Sequence, residues 1–227
     1  MRLSKKGKDM YYPYLRGKQF ELTLLRDNSD IMNFRNVHPI IEPVRNDFKS
    51  LERTLKVLEE KKVHYILILN PITGSSPVLQ QNILTFIEDS ELDFQAISFG
   101  YILDANSNIK GLISLLKKYN DKEFSLIHHG YPDSKQIAIK INGFENIKRH
   151  IFIDGYAGKL YQKHLKKESV ERILIRDGFK LQKKNSLYPE SEHFSDLNIT
   201  YPDEGMDSFG DYLTIGDDYS ETGGPAY

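Results

Sequence analysis

The chain has 227 residues, long enough for one large domain with a substantial buried core. Its 31 Lys and Arg nearly cancel 32 Asp and Glu, for a formal net charge of -1, which removes any argument for whole-surface attraction to nucleic acid or an anionic membrane. With no cysteine there is no disulfide, Cys nucleophile or thiolate metal site, so the cytoplasm is the default location. No apolar run approaches the roughly 20 residues of a membrane helix, and the basic start, Met1 to Lys8, has no h-region after it.

Taken in order, the chain repeats one unit: a short apolar run ending in a polar residue, then an amphipathic stretch. The runs are Tyr11–Arg16, His38–Glu42, Tyr65–Asn70, Gln95–Gly100, Ser125–His129, Ile151–Asp154, Arg172–Arg176 and Asp211–Gly216. About eight βα units are the count of a closed parallel barrel, so the expected fold is α/β, a TIM-like (β/α)8 barrel spanning residues 1–227 as one domain.

Between the runs, Leu51, Leu55 and Leu58 at i, i+4, i+7 predict a helix over 47–62, with Asp47 able to cap it. Ser76-Pro77 reads as the start of another, striped by Leu79, Ile83, Phe86 and Ile87. Asn108 precedes a third, with Leu112, Ile113, Leu115 and Leu116 inward and Lys117-Lys118 at its C-terminal end. Residues 136–147 carry Ile137, Ile139 and Ile141 at period two, pointing to an extra strand or an irregular connection. Residues 180–210 lack periodicity and read as a functional loop or a surface insertion. The run after Asp217-Asp218 shows no covering helix, so the last unit is expected to be incomplete, with apolar surface near Leu213 and Ile215 buried by another chain, a partner or a second copy, or by residues absent from this sequence.

Side chains alternate faces along a strand, so one parity of each run faces the lumen. Assigning Ile151, Ile153, Ile173 and Ile175 to the helix layer leaves Asp154 and Arg176 inward; the other runs place Arg16, Glu42, Asn70, His129, Thr214 and Asp218 inward and His128 outward. A barrel interior is otherwise filled with branched apolar side chains, so polar strand ends mark a pocket mouth or a set of mutually paired ions. Glu42, Asp154 and Asp218 have the oxygen chemistry to hold Mg²⁺. Arg16, Lys18 and Arg176 suit an anion such as a phosphate or nucleotide, with Asn70 beside them. Glu42, His129 and Asp154 are the candidate catalytic groups, His129 as acid or base. No P-loop, GxGxxG, HExxH or GxSxG motif names a reaction.

Tyr11-Tyr12-Pro13-Tyr14-Leu15-Arg16-Gly17-Lys18-Gln19-Phe20-Glu21, then Pro39-Ile40-Ile41-Glu42, then Phe209-Gly210-Asp211-Tyr212 with Gly216-Asp217, resemble the "beta protein" family of phages and bacteria. The resemblance implies a TIM-like barrel and a phage-host setting, often beside a nuclease. It marks Arg16, Lys18, Glu21, Glu42 and Asp217; Glu21, lying within the first connecting helix, reads as an outward or helix-capping residue. Two readings follow: an enzyme of antiphage defence performing metal-assisted phosphoryl or phosphodiester chemistry on an anionic substrate, or a non-catalytic module working with a nuclease-like partner.

Overall fold

The computed structural model describes residues 10–74, 78–180, 182, 185–187, 189–214 and 216–217. Eight parallel strands form one sheet in sequence order: β1 (Tyr14–Leu15), β2 (Ile40–Ile41), β3 (Tyr65–Ile68), β4 (Ile97–Leu103), β5 (Phe124–His128), β6 (Ile147–Ile153), β7 (Glu171–Arg176) and β8 (Ser208–Asp211). The sheet closes on itself. Tyr12 N donates to Phe209 O at 2.9 Å, and parallel bridges join Tyr11 to Phe209 and Tyr14 to Tyr212. The fold is therefore the expected α/β barrel of the (β/α)8 type.

The helices are α1 (Gln19–Asp27), α2 (Ser29–Arg35), α3 (Lys49–Glu60), α4 (Gln80–Asp89), α5 (Ile109–Lys118), α6 (Ser134–Ile141), α7 (Lys159–Lys163) and α8 (Leu197–Thr200). α3 buries Leu51, Leu55 and Leu58 as their spacing requires, and Asn108 caps α5 by accepting from Gly111 N. Residues 136–147 are corrected: α6 is a helix capped by Asp133, with Ile137 and Ile141 buried at i, i+4 and Ile139 exposed. The alternation of three isoleucines was a coincidence of composition, and the side-chain cap decides the conformation. α4 begins at Gln80, while Ser75 to Pro77 lie outside the described residues. The 180–210 connection holds a 3-10 turn at Asn185–Leu187 and the short α8. β8 starts three residues before its expected run, because Ser208–Asp211 is the stretch in register with Ile173–Arg176. Leu213 packs partly buried against the core, whereas Ile215 and the expected missing last helix fall outside the described residues. No helix among the described residues is long and apolar enough to cross a membrane.

Two apolar layers are sorted by side-chain shape. The lumen is filled by Ile40, Ile66, Ile68, Ile102, Ile127, Ile151, Ile153, Ile173 and Ile175 with Tyr12, Tyr14 and Tyr212. The layer between sheet and helices takes mainly leucine and aromatics, among them Leu15, Leu67, Phe99, Leu126, Phe152 and Leu174. Parity therefore holds for the first, second, third and fifth runs and reverses in β6 and β7. Ile151, Ile153, Ile173 and Ile175 face inward, so Phe152, Leu174, Asp154 and Arg176 belong to the outer parity. The physical reason is that a barrel interior selects branched aliphatics, so isoleucine was the inward residue of each alternating pair. The opposite end of the lumen is also polar. Glu171 accepts from Tyr12 at 2.9 Å and from Ser208 at 2.6 Å, while Arg149 donates to Ser98 and Glu123.

Gly210 sits where β8 meets β1. A Cβ there would lie 2.0 Å from Tyr12 O and 2.5 Å from Ile175 Cδ1. Backbone cannot rotate aside as a side chain can, so Gly210→Ala is expected to destabilise the protein by about 3 kcal/mol or more. A urea midpoint equal to wild type would contradict that seam geometry.

His128 takes the outward place assigned to it and is fully buried, bonded to Tyr161 at 2.9 Å and to His150 at 3.0 Å. Burial, then the neighbouring His150, holds His128 well below the usual imidazole range; burial, then Arg172 and Lys167, lowers His150 to about 4. Between about pH 4 and 6.5 the unfolded chain thus binds more protons than the folded one, and stability falls as pH falls through that window. From pH 7 to 5 His150 alone is expected to cost about 2 kcal/mol. Equal urea-derived stabilities at the two pH values would rule this out.

Candidate functional site

The loops after the strands surround a cavity of about 460 Å³ at the C-terminal mouth, lined by Tyr14, Arg16, Thr73, Gly74, Ile102, Ile127, His129, Tyr156 and Asp217 among others. Beneath it lies Glu42, fully buried at the end of β2. Its Oε1 accepts the backbone N–H of Ile72 at 2.9 Å and of Thr73 at 3.0 Å. Its Oε2 accepts from Tyr14 Oη at 2.8 Å and from Arg16 Nη1. Four donors thus converge on one carboxylate, which compensates its desolvation. Burial first, and Glu42 second, push the Tyr14 hydroxyl well above its ordinary range, so it remains a donor.

Arg16 is 3 % exposed and packs between the rings of Tyr14 and Tyr212, at 4.9 and 5.1 Å from their centroids. Nη1 also donates to Thr73 Oγ1 at 3.0 Å, and Nη2 donates to Asp217 O at 3.2 Å and Oδ1 at 3.1 Å. Both Nη groups are spent inside the protein. Its Nε is buried without a partner among the described residues.

Asp217 is the hinge of the site. Its Oδ1 accepts from Tyr212 at 2.6 Å as well as from Arg16, its Oδ2 lies 3.3 Å from His129 Nε2, and its N–H donates to Asp177 at 2.9 Å. Burial alone would raise the Asp217 carboxyl, but hydrogen bonds from His129 and Tyr212 and the charges of His129 and Arg16 outweigh it and hold the group well below the carboxylate range. The His129 ring stacks on Tyr156 with centroids 3.9 Å apart. Anchored through Nε2, it keeps Nδ1 without a hydrogen-bond partner among the described residues, an arrangement suited to proton exchange.

Of the residues the sequence singled out, Arg16, Glu42 and His129 come together. Asp154 and Arg176 do not. On the outer parity, Arg176 Nε donates to Asp154 at 2.6 Å and its Nη2 lies 3.4 Å from Glu204, so they form a rim ion network that the 180–210 connection completes. The inward position at the end of β7 belongs to Asp177, one residue on. Asn70 faces inward but is committed to β4, donating to Ile102 O at 2.9 Å and accepting from Ile102 N at 2.8 Å. Lys18 is the N-cap of α1, where its N–H donates to Glu21 at 3.0 Å, and it does not line the cavity. Glu21 thus has the capping role expected of it, and it also accepts from Thr214, which is exposed and not a lumen residue. Asp218 lies outside the described residues.

The Mg²⁺ expectation finds no donor set here. Glu42 is occupied by four hydrogen-bond donors, Asp154 is paired elsewhere, and no group of three His, Asp or Glu among the described residues could hold a metal ion. Parity missed Asp217 because it sits in irregular chain after β8, where alternation no longer applies. The motif comparison did mark it, and Arg16, Glu42 and Asp217 prove to be one hydrogen-bonded unit.

No protein-family model matches the chain, and no curated protein matches it. The resemblance to the "beta protein" family therefore rests on its motifs alone.

Because Glu42 is surrounded by donors, Glu42→Gln would set an amide N–H₂ against groups that also donate and leave Arg16 short of a counter-charge. The expected loss is about 3 to 5 kcal/mol, on the order of 10 °C in melting temperature. A variant melting with the wild type would show that the carboxylate is not structural.

Proposed function

We propose that the C-terminal mouth binds a small ligand bearing a phosphate or similar anionic group, and that His129 meets this group and exchanges a proton with it. The observation that carries the reading is the His129–Asp217 pair on an open cavity, with Nδ1 lacking a hydrogen-bond partner among the described residues. Around it Arg16 is balanced by Glu42 and Asp217, so a neutral imidazole leaves the cluster at a net charge of -1 by count of Arg16, Glu42 and Asp217. Arg16 serves as the rigid floor that places Asp217, a positioning residue in place of the anion clamp expected from sequence.

A second reading, ligand recognition without chemistry, is favoured by the committed state of Glu42 and of both Arg16 Nη groups, which leaves His129 as the acid–base group of the cavity. The phage-host setting and a nuclease-like partner enter only through the motifs, and they would place either reading in antiphage defence.

The test follows the His129 imidazole resonances by NMR during titration with inorganic phosphate. A response of those resonances to phosphate, with phosphate binding lost in a folded His129→Gln variant, is the expected result. Resonances that do not respond to phosphate would overturn the assignment. If phage protection is also measured, loss in His129→Gln at unchanged melting temperature supports the defence role.

A further inference from the structure

A second cavity, of about 300 Å³, lies between α1 and α3, outside the mouth. Four of its lining residues are cations, Arg26, Arg45, Lys49 and Arg53, against a single carboxylate, Asp47. In a chain whose acidic and basic residues nearly cancel, this excess is local and needs a cause. Some surface cations have partners, such as Lys61 with Asp30 and Lys118 with Glu88, and others, such as Lys56, Lys110 and Lys140, have no ion pair among the described residues, so the unusual feature is the gathering of four cations on one cavity. None of the four groove cations has an ion pair among the described residues. Asp47, whose Oδ1 accepts the backbone N–H of Lys49 at 3.1 Å, offsets one of the four charges and leaves a local positive excess.

Arg26 shows that the charge is positioned and not merely exposed. Its Nη1 donates to Thr54 Oγ1 at 2.7 Å and its Nη2 to Thr23 Oγ1 at 2.8 Å. Two neutral hydroxyls fix the guanidinium between the helices and leave its charge uncompensated. Lys49 and Arg53 are one turn apart on α3, so their like charges repel unless an anion sits between them.

We propose that this groove binds the oligophosphate moiety of a small molecule. Several separate cations converging on one short cavity suit an anion with three or four negative charges, and arginine matches phosphate oxygens through paired N–H donors. The cavity is small and the chain as a whole carries a net charge of -1, which favours a compact oligophosphate over the long basic stripe a nucleic-acid backbone requires. The groove is walled from the mouth by Gly17 and Pro43, which directly follow Arg16 and Glu42, so it is independent of His129.

The experiment is calorimetric titration of the full chain with tripolyphosphate at low and moderate salt, beside the Arg45→Ala/Arg53→Ala double variant and His129→Gln. Both arginines are exposed, so the double variant should melt with the wild type. The expected result is one site whose affinity falls with salt, weakens on the order of tenfold or more in the double variant, and is unchanged in His129→Gln. Absence of binding, or binding that the double variant retains in full, overturns the proposal. So does a single-stranded oligonucleotide that binds through these arginines where tripolyphosphate does not.

Discussion

A fully buried carboxylate at the end of β2 organises this end of the barrel. Removing a carboxylate from water costs several kcal/mol unless donors replace the lost hydration, and Glu42 has four of them. They arrive from β1, from the residue after it and from the loop after β3. Arg16 extends the same unit across the β8–β1 seam to Asp217. Satisfying one charge therefore fixes three loops, and Asp217 then fixes His129. The part of the site able to exchange protons is held by a part in which the Glu42 carboxylate and both Arg16 Nη groups are committed to partners within the protein.

That division explains why polar residues at strand ends do not all serve one purpose. Asn70 stands in for a backbone pair with Ile102, and Asp154 and Arg176 neutralise each other on the rim. At the far end of the lumen, Glu171 and Arg149 close the barrel with Tyr12, Ser98 and Ser208. Each group is polar because a backbone or a charge beside it needs a partner. At His129 a ring nitrogen has no hydrogen-bond partner among the described residues, and the ring lines a cavity large enough for a small ligand.

The separation of isoleucine from leucine and phenylalanine has a packing cause. Inside the barrel, side chains of neighbouring parallel strands meet in layers on a curved, narrow surface, where β-branched groups fill space with few rotamers. Between sheet and helices, longer unbranched and aromatic side chains bridge the wider gap. Register carries the lumen set from strand to strand: Ile127 beside Ile151, Ile151 beside Ile173, and Ile153 beside Ile175.

The fold was legible because alternation of apolar runs with amphipathic stretches is a local signal, and parallel strands with helical crossovers allow few ways of closing such a series. Sequence also determined Asn108 as a cap, the buried stripe of α3 and the inward direction of Arg16, Glu42 and His129, each set by spacing within a few residues. Apolar pattern did not settle the faces of β6 and β7, where isoleucine alternates with phenylalanine or leucine and both sides are apolar; the β-branched side chain was the signal of the lumen face. Nor could pattern place Asp217, which has no periodicity of its own and reaches Arg16 and His129 because closure of β8 on β1 brings the chain back across the mouth. Tertiary structure decided which charges were partners and which were available, because pairing depends on distances between strand ends far apart in sequence.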